Sequence, residues 1–221
     1  MRQKRAAIYG GTFDPVHNGH IEVARRVQKL FALDEVIFVP ACVPPHKRNS
    51  GISSAFHRFA MLILATEDDD HLCVSTIELD SPDRPYAVET LARMQQELGS
   101  DYRLFFLMGA DSWSEIKTWR DWQRLLTMSD QIVMTRPGYE LGAVALDGAS
   151  IADVCGLSEG AIARLIDDAH APKAFLTDAV SISVSATAIR EAARRNERDK
   201  LRQMVSPSVA AYIEKYGLYR N

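Results

Sequence analysis

The sequence predicts an α/β protein built on a doubly wound, mostly parallel sheet, and three observations carry that prediction. Short apolar runs alternate with longer helical stretches from residue 5 to residue 135, the pattern of successive β-α units. Most of these runs are continuously apolar, as strands buried on both faces are. The first run, ending at Tyr9, opens into Gly10-Gly11 and then directly into a helix start. Such a turn places unpaired N–H groups and the positive end of a helix dipole at a sheet edge, where an anion is favoured by roughly 0.3–1 kcal/mol.

Composition narrows the class. A chain of 221 residues suits one domain, 1–221, with an insertion at about 139–172 and a helical C-terminal segment from about 185. With 47% hydrophobic and 25% charged residues, disorder over most of the chain is excluded. The sequence contains no apolar run of the roughly 18 residues a membrane span needs. Met1-Arg2-Gln3-Lys4-Arg5 leads into a strand rather than a signal-peptide core, so a soluble cytoplasmic protein is expected. Cys42, Cys73 and Cys155 are widely spaced and match neither a disulfide framework nor a zinc site, so they are expected to be reduced packing residues. A net charge of -3 argues against a nucleic-acid partner, and a polyanionic ligand would need positive charge focused locally by Lys47, Arg48, Arg190, Arg194 and Arg195.

In chain order, Arg5 to Tyr9 is the first strand and the first helix runs to about Phe31. Glu35 to Pro40 is the second strand, followed by a loop whose two prolines present His46, Lys47 and Arg48 together. On composition that loop is a solvated basic turn, but its place beside the first motif at a strand end favours ligand binding. A helix from about Ser54 to Thr66 carries Phe56, Phe59 and Ile63 along one stripe. Leu72 to Ile77 is the third strand, Ala87 to Leu98 a helix, and Leu104 to Met108 the fourth strand. Gly109 and Asp111 follow at its carboxyl end, where Asp111 either binds a sugar hydroxyl or caps a helix. Of Trp113, Trp119 and Trp122, in a helical segment reaching Met128, one is expected in the core and another free to stack. Gln131 to Thr135 is the fifth strand. From Tyr139 to Pro172 the pattern weakens into an excursion beside the sheet with a short amphipathic piece at 158–169, before a last strand at Ala174 to Thr177.

Two stretches carry chemistry. The first is Gly10-Gly11-Thr12-Phe13-Asp14-Pro15-Val16-His17-Asn18-Gly19-His20, in which His17 and His20 stand three apart at a helix start and so face one side. It is neither a Rossmann G-x-G-x-x-G nor a Walker A loop. The second is Ser185-Ala186-Thr187-Ala188-Ile189-Arg190, with hydroxyls at a helix start and a forked cation one turn on. Alone, the second is an ordinary N-cap with a surface arginine; paired with the first, it is a second grip on phosphate. The closing helix, from Ser206 to Gly217, has Ser206 as cap and Pro207 at its first position.

These pieces resemble the bacterial nicotinate-nucleotide adenylyltransferase family of the nucleotidyltransferase superfamily. The likeness rests on G-G-T-F-D-P-V-H-N-G-H at 10–20, P-A-C-V-P-P-H-K at 40–47, G-A-D-S at 109–112 with Trp119 downstream, R-P-G at 136–138, V-S-A-T-A-I-R at 184–190 and Y-I-E-K-Y-G-L-Y at 212–219. Val184 and Ala186 depart from the family's usual I-S-S-T-x-I-R without removing a hydroxyl or the cation.

The resemblance implies a Rossmann-like nucleotidyltransferase fold. It also implies a reaction of ATP with nicotinate mononucleotide to give deamido-NAD and pyrophosphate in NAD biosynthesis, with Mg2+ carried on the ATP phosphates and no protein metal ligand. It implies catalytic roles for His17, His20, Lys47 and Arg190. ATP would be bound by Gly10, Gly11, Thr12, Phe13, His20, Gly109, Asp111, Ser185, Thr187 and Arg190, and the mononucleotide by Thr12, Lys47, Thr90 and Trp119. Small-molecule substrates are then the partners, with no membrane and either a monomer or a homodimer. Rivals are an adenylyltransferase for phosphopantetheine or nicotinamide mononucleotide, and a non-catalytic nucleotide sensor.

Overall fold

The run that leads to the glycine pair becomes β1 (Lys4–Gly11), the middle of the sheet, because alternate residues feed two separate cores: Ala7 packs on one face, Ala6 and Ile8 on the other, all fully buried. The computed structural model describes residues 3–42, 52–81, 85–135, 150–168, 171–178 and 184–220. The other strands are β2 (Glu35–Pro40), β3 (Leu72–Val74), β4 (Tyr102–Gly109), β5 (Asp130–Met134), β6 (Ser150–Asp153) and β7 (Lys173–Thr177). They form one seven-stranded sheet in the order β3-β2-β1-β4-β5-β7-β6, and every pairing is parallel. The doubly wound expectation holds.

The helices are α1 (Asn18–Leu30), α2 (Ala55–Thr66), α3 (Ala87–Leu98), α4 (Ala110–Ser114), α5 (Trp122–Met128), α6 (Glu159–Asp167), α7 (Ala186–Arg194), α8 (Arg198–Met204) and α9 (Pro207–Tyr216). Buried residues of α1, α2, α6, α7, α8 and α9 join Ala7, Phe105 and Leu107 on one face of the sheet. Those of α3, α4 and α5 join Ile8, Phe106 and Met108 on the other. The strand order reverses between β1 and β4, both bonded to each other, so their carboxyl ends open the crevice where such sheets bind ligands.

Four expectations change. The third strand stops at Val74, because the Ser75 hydroxyl accepts from the Ile77 N–H and Thr76 donates to Asp80, a local turn that competes with the ladder. The α2 stripe is split, with Phe56 76% and Ile63 44% exposed and Phe59 half-buried, and the buried positions are Arg58, Met61, Leu62 and Thr66. Within the expected excursion, Ser150–Asp153 joins the sheet as its edge strand beside β7, and Ile162 and Ile166 of α6 enter the core; four residues with one exposed isoleucine gave no strand signal. Cys155 is exposed rather than packed, and all three cysteines are free thiols.

Candidate active site

The loop that leaves β1 is held by its own aromatic ring. Phe13 adopts a φ of +48°, and a Cβ on Gly11 would meet its ring at 2.8 Å. A side chain at Gly11 would therefore have to displace that ring. Gly10 differs, since a Cβ there would meet only Phe106 at 4.0 Å. Asp14 follows, 5% exposed, and a cis peptide joins it to Pro15.

His17 is the N-cap of α1, and its backbone N–H donates to Nδ1 of His20 at 3.2 Å. With Nδ1 accepting, the neutral His20 ring carries its proton on Nε2, which becomes the free donor. The two rings stack, centroids 3.7 Å apart and 21° between planes. Phe13 meets His20 edge-on at 5.0 Å and Tyr9 does so at 6.2 Å. Burial lowers the His17 pKa to about 4 and, with the proximity of His17 adding to burial, that of His20 to about 3. At neutral pH both are uncharged, so the helix start presents dry, directional N–H groups rather than two cations. An arriving polyphosphate would raise both pKa values again by its opposite charge. Nδ1 of His17 is buried and has no hydrogen-bond partner among the described residues. An unsatisfied atom of that kind costs about 1–3 kcal/mol, and it suits a group that a ligand completes.

The second stretch reaches the first. Ser185 caps α7, its hydroxyl accepting from the Ala188 N–H at 3.2 Å. Nη2 of Arg190 donates to the Thr187 hydroxyl at 3.2 Å, and Nη1 donates to the backbone carbonyl of Asp14 at 2.7 Å. Two chain segments separated by 176 residues thus meet at the loop, one bringing imidazoles and the other hydroxyls and a cation. Every donor in this set suits an anion.

The remaining expected residues divide. Gly109 ends β4 and is itself the N-cap of α4, which removes the capping alternative for Asp111; its carboxylate stands exposed at the sheet edge. Trp113 is in the core at 1% exposure, whereas Trp119 is half-buried and edge-on to Phe106 at 6.1 Å, the same ring that neighbours Gly10. Thr90 is buried, and its hydroxyl donates to the Glu78 carboxylate at 2.8 Å. Lys47, with His46, Arg48 and the R-P-G at 136–138, lies outside the described residues.

Two residues that hold the site in shape escaped the sequence. Arg58 is 1% exposed and donates to the carbonyls of Ser53, Thr12, Ala41 and Cys42, tying the ends of β1 and β2 together. Its one signal was a charge on the helix face shared with Met61 and Leu62 at i+3 and i+4. Tyr219, just beyond the closing helix, donates to the Asp14 carboxylate at 2.7 Å. Two open clefts of about 480 and 590 Å3 flank α1, but neither is lined by His17, His20 or Arg190.

Comparison with known proteins gives the same picture. The cytidylyltransferase-like family model matches residues 8–192. A relative from Corynebacterium glutamicum named probable nicotinate-nucleotide adenylyltransferase is 34% identical over 99% of this chain and 90% of its own length. One of the same name from a Thermoanaerobacter species is 36% identical over 99% of this chain and 96% of its own. The solved structure of Plasmodium falciparum nicotinic acid mononucleotide adenylyltransferase complexed with NaAD shares the fold, with a TM-score of 0.68 at 20% identity over 98% of this chain and 97% of that one. With its sheet, its two meeting segments and these relatives in agreement, the chain belongs to the cytidylyltransferase-like family and, within it, to the nicotinate-nucleotide adenylyltransferases.

Proposed function

We propose that the chain transfers the adenylyl group of ATP to the phosphate of nicotinate mononucleotide, releasing pyrophosphate and forming deamido-NAD by direct in-line attack. The observation that carries this is the Arg190 to Asp14 contact at 2.7 Å, which brings the hydroxyl and guanidinium cluster to the loop that ends in the stacked imidazoles. The mononucleotide phosphate is already a nucleophile at neutral pH, so no general base or covalent intermediate is needed. Catalysis is then alignment plus stabilisation of charge on the transferring and leaving groups. In this scheme His17 donates to the α-phosphate, His20 to the ATP phosphates through Nε2, and Ser185, Thr187 and Arg190 hold the departing β- and γ-phosphates. Gly10 to Phe13 line the crevice with backbone, Lys47 draws in the mononucleotide phosphate, and Gly109 and Asp111 hold the ribose and adenosine side. Trp119 stacks on the pyridine ring.

The N–H, hydroxyl and guanidinium donors of this site suit phosphate oxygens. Mg2+ fits it as a companion of the ATP phosphates, where it would neutralise part of their charge. Thr12 and Thr90 belong to the mononucleotide side of this scheme, Thr90 with its hydroxyl on Glu78.

The test is pyrophosphate release with ATP, Mg2+ and, separately, nicotinate mononucleotide, nicotinamide mononucleotide and phosphopantetheine. The highest kcat/KM is expected with nicotinate mononucleotide. Turnover only with phosphopantetheine, or with none of the three, overturns the assignment.

A further inference from the structure

Three distant parts of the chain converge on Asp14. One carboxylate oxygen accepts from the Tyr219 hydroxyl at 2.7 Å and the other from the Ser53 backbone N–H at 3.3 Å, while the Asp14 carbonyl accepts from Arg190 at 2.7 Å. At 5% exposure this carboxylate depends on protein donors, since a buried charge must be hydrogen-bonded to be tolerated. Tyr219 is a committed donor: burial, then the neighbouring Asp14 charge, raises its hydroxyl above the ordinary tyrosine value, so it keeps its proton.

The backbone on both sides of the contact is held in an unfavourable form. Phe13 has φ +48° and Tyr219 φ +66°, and side-chain-bearing residues persist there only where their surroundings over-determine them. Helix α9 ends at Gly217 with φ +61°, and the Leu218 N–H returns to the Ile213 carbonyl at 3.1 Å. That turn carries Tyr219 back toward the loop. It is the far end of the chain, not a neighbour in sequence, that supplies the carboxylate's side-chain donor.

We infer that Tyr219 is a positioning residue for adenylyl transfer: by holding the Asp14 carboxylate it fixes the loop whose carbonyl aims the Arg190 guanidinium at the triphosphate. This deepens the function proposed above and rests on it. Tyr219 itself touches no substrate. Its hydroxyl sets Asp14, Asp14 sets Arg190, and the packing of the ring alone would hold the tail but not orient the guanidinium.

Tyr219→Phe keeps the ring and removes the hydroxyl. Losing a hydrogen bond to a charged group converts to about a tenfold loss in kcat/KM for ATP. The KM for the mononucleotide should stay within about twofold, the scatter expected of an uncoupled site. In an Arg190→Met background the same substitution should add less than about twofold, because its route to the substrate is gone. Unchanged kinetics for ATP, or effects of the two substitutions that multiply, would overturn the inference.

Hydrogen exchange on the unliganded protein separates this inference from the reaction assigned. In Tyr219→Phe the amides of residues 12–17, Pro15 aside, should exchange faster while those of β4 and β5 keep their protection. Faster exchange over the whole sheet would mean that the hydroxyl serves general stability, and would refute a positioning role. If wild-type protein released no pyrophosphate, the assigned reaction would fall, and the exchange pattern would still decide whether Tyr219 locks this loop.

Discussion

At the start of α1 two imidazoles are stacked, sheltered by Phe13 and Tyr9 and held neutral, whereas at the start of α7 two exposed hydroxyls stand beside a guanidinium. Their caps differ in the same sense. Ser185 spends its hydroxyl on the Ala188 N–H, while the N-cap of α1 makes no side-chain cap bond and leaves a ring nitrogen unsatisfied. The dry end offers preorganised donors that need no reorganisation when charge develops, and the wet end offers a permanent charge that can let a product go. In the proposed reaction one helix start serves the reacting phosphorus and the other the phosphates that leave.

His17→Ala is the sharpest way to break that contrast. It should lower kcat about 10²- to 10³-fold, the cost of removing one oxyanion donor. The melting temperature should barely move, since this cap makes no side-chain bond. Steady-state kinetics and a thermal melt on one preparation check both, and near-normal turnover would remove His17 from the chemistry.

Arg190→Met acts on the other half, with KM for ATP rising about 30-fold for loss of a charge-assisted grip. A change confined to the KM of the mononucleotide would show that α7 faces the wrong substrate.

The difference in charge state gives a third test. The His20 pKa lies near 3 in the folded chain and near 6.5 unfolded. As pH falls below about 6.5 the unfolded chain binds a proton that the folded one refuses, so this group erodes stability down to about pH 3 and contributes nothing above neutrality. Melting curves from pH 7 to pH 4.5 should therefore fall less steeply for His20→Asn, which keeps an acceptor for the His17 N–H, than for wild type. Equal slopes would contradict a neutral, buried imidazole. The smallest effect belongs to Ser185→Ala, which should cost about 1 kcal/mol of stability as a lost N-cap, measurable by urea titration.

Much of this arrangement was legible in the chain. The alternation of apolar runs with helices gave six of the seven strands in order, because a parallel sheet covered on both faces demands continuous apolar strands. Both stretches to which phosphate binding is assigned were visible, because each places hydrogen-bonding side chains at a helix start. What failed did so for physical reasons. The edge strand Ser150–Asp153 has no apolar face to announce it. The inward turn of Arg58 in α2 was not legible because it rests on the carbonyls of Thr12, Ala41, Cys42 and Ser53, and hydrophobicity cannot register a buried guanidinium satisfied by four backbone acceptors. The crowding of Gly11 was not legible because the ring beside it belongs to Phe13, whose positive φ no local pattern reveals.

By itself, then, the sequence determined the layered sheet, the positions of its loops and the kinds of groups those loops carry, because each is set by periodicity and turn chemistry over short spans. Only the tertiary structure decided which of those groups share a loop, which are neutral and which residues hold them. Those outcomes depend on burial and on contacts such as Tyr219 to Asp14, between residues 205 positions apart, whose pairing exists nowhere in the local pattern.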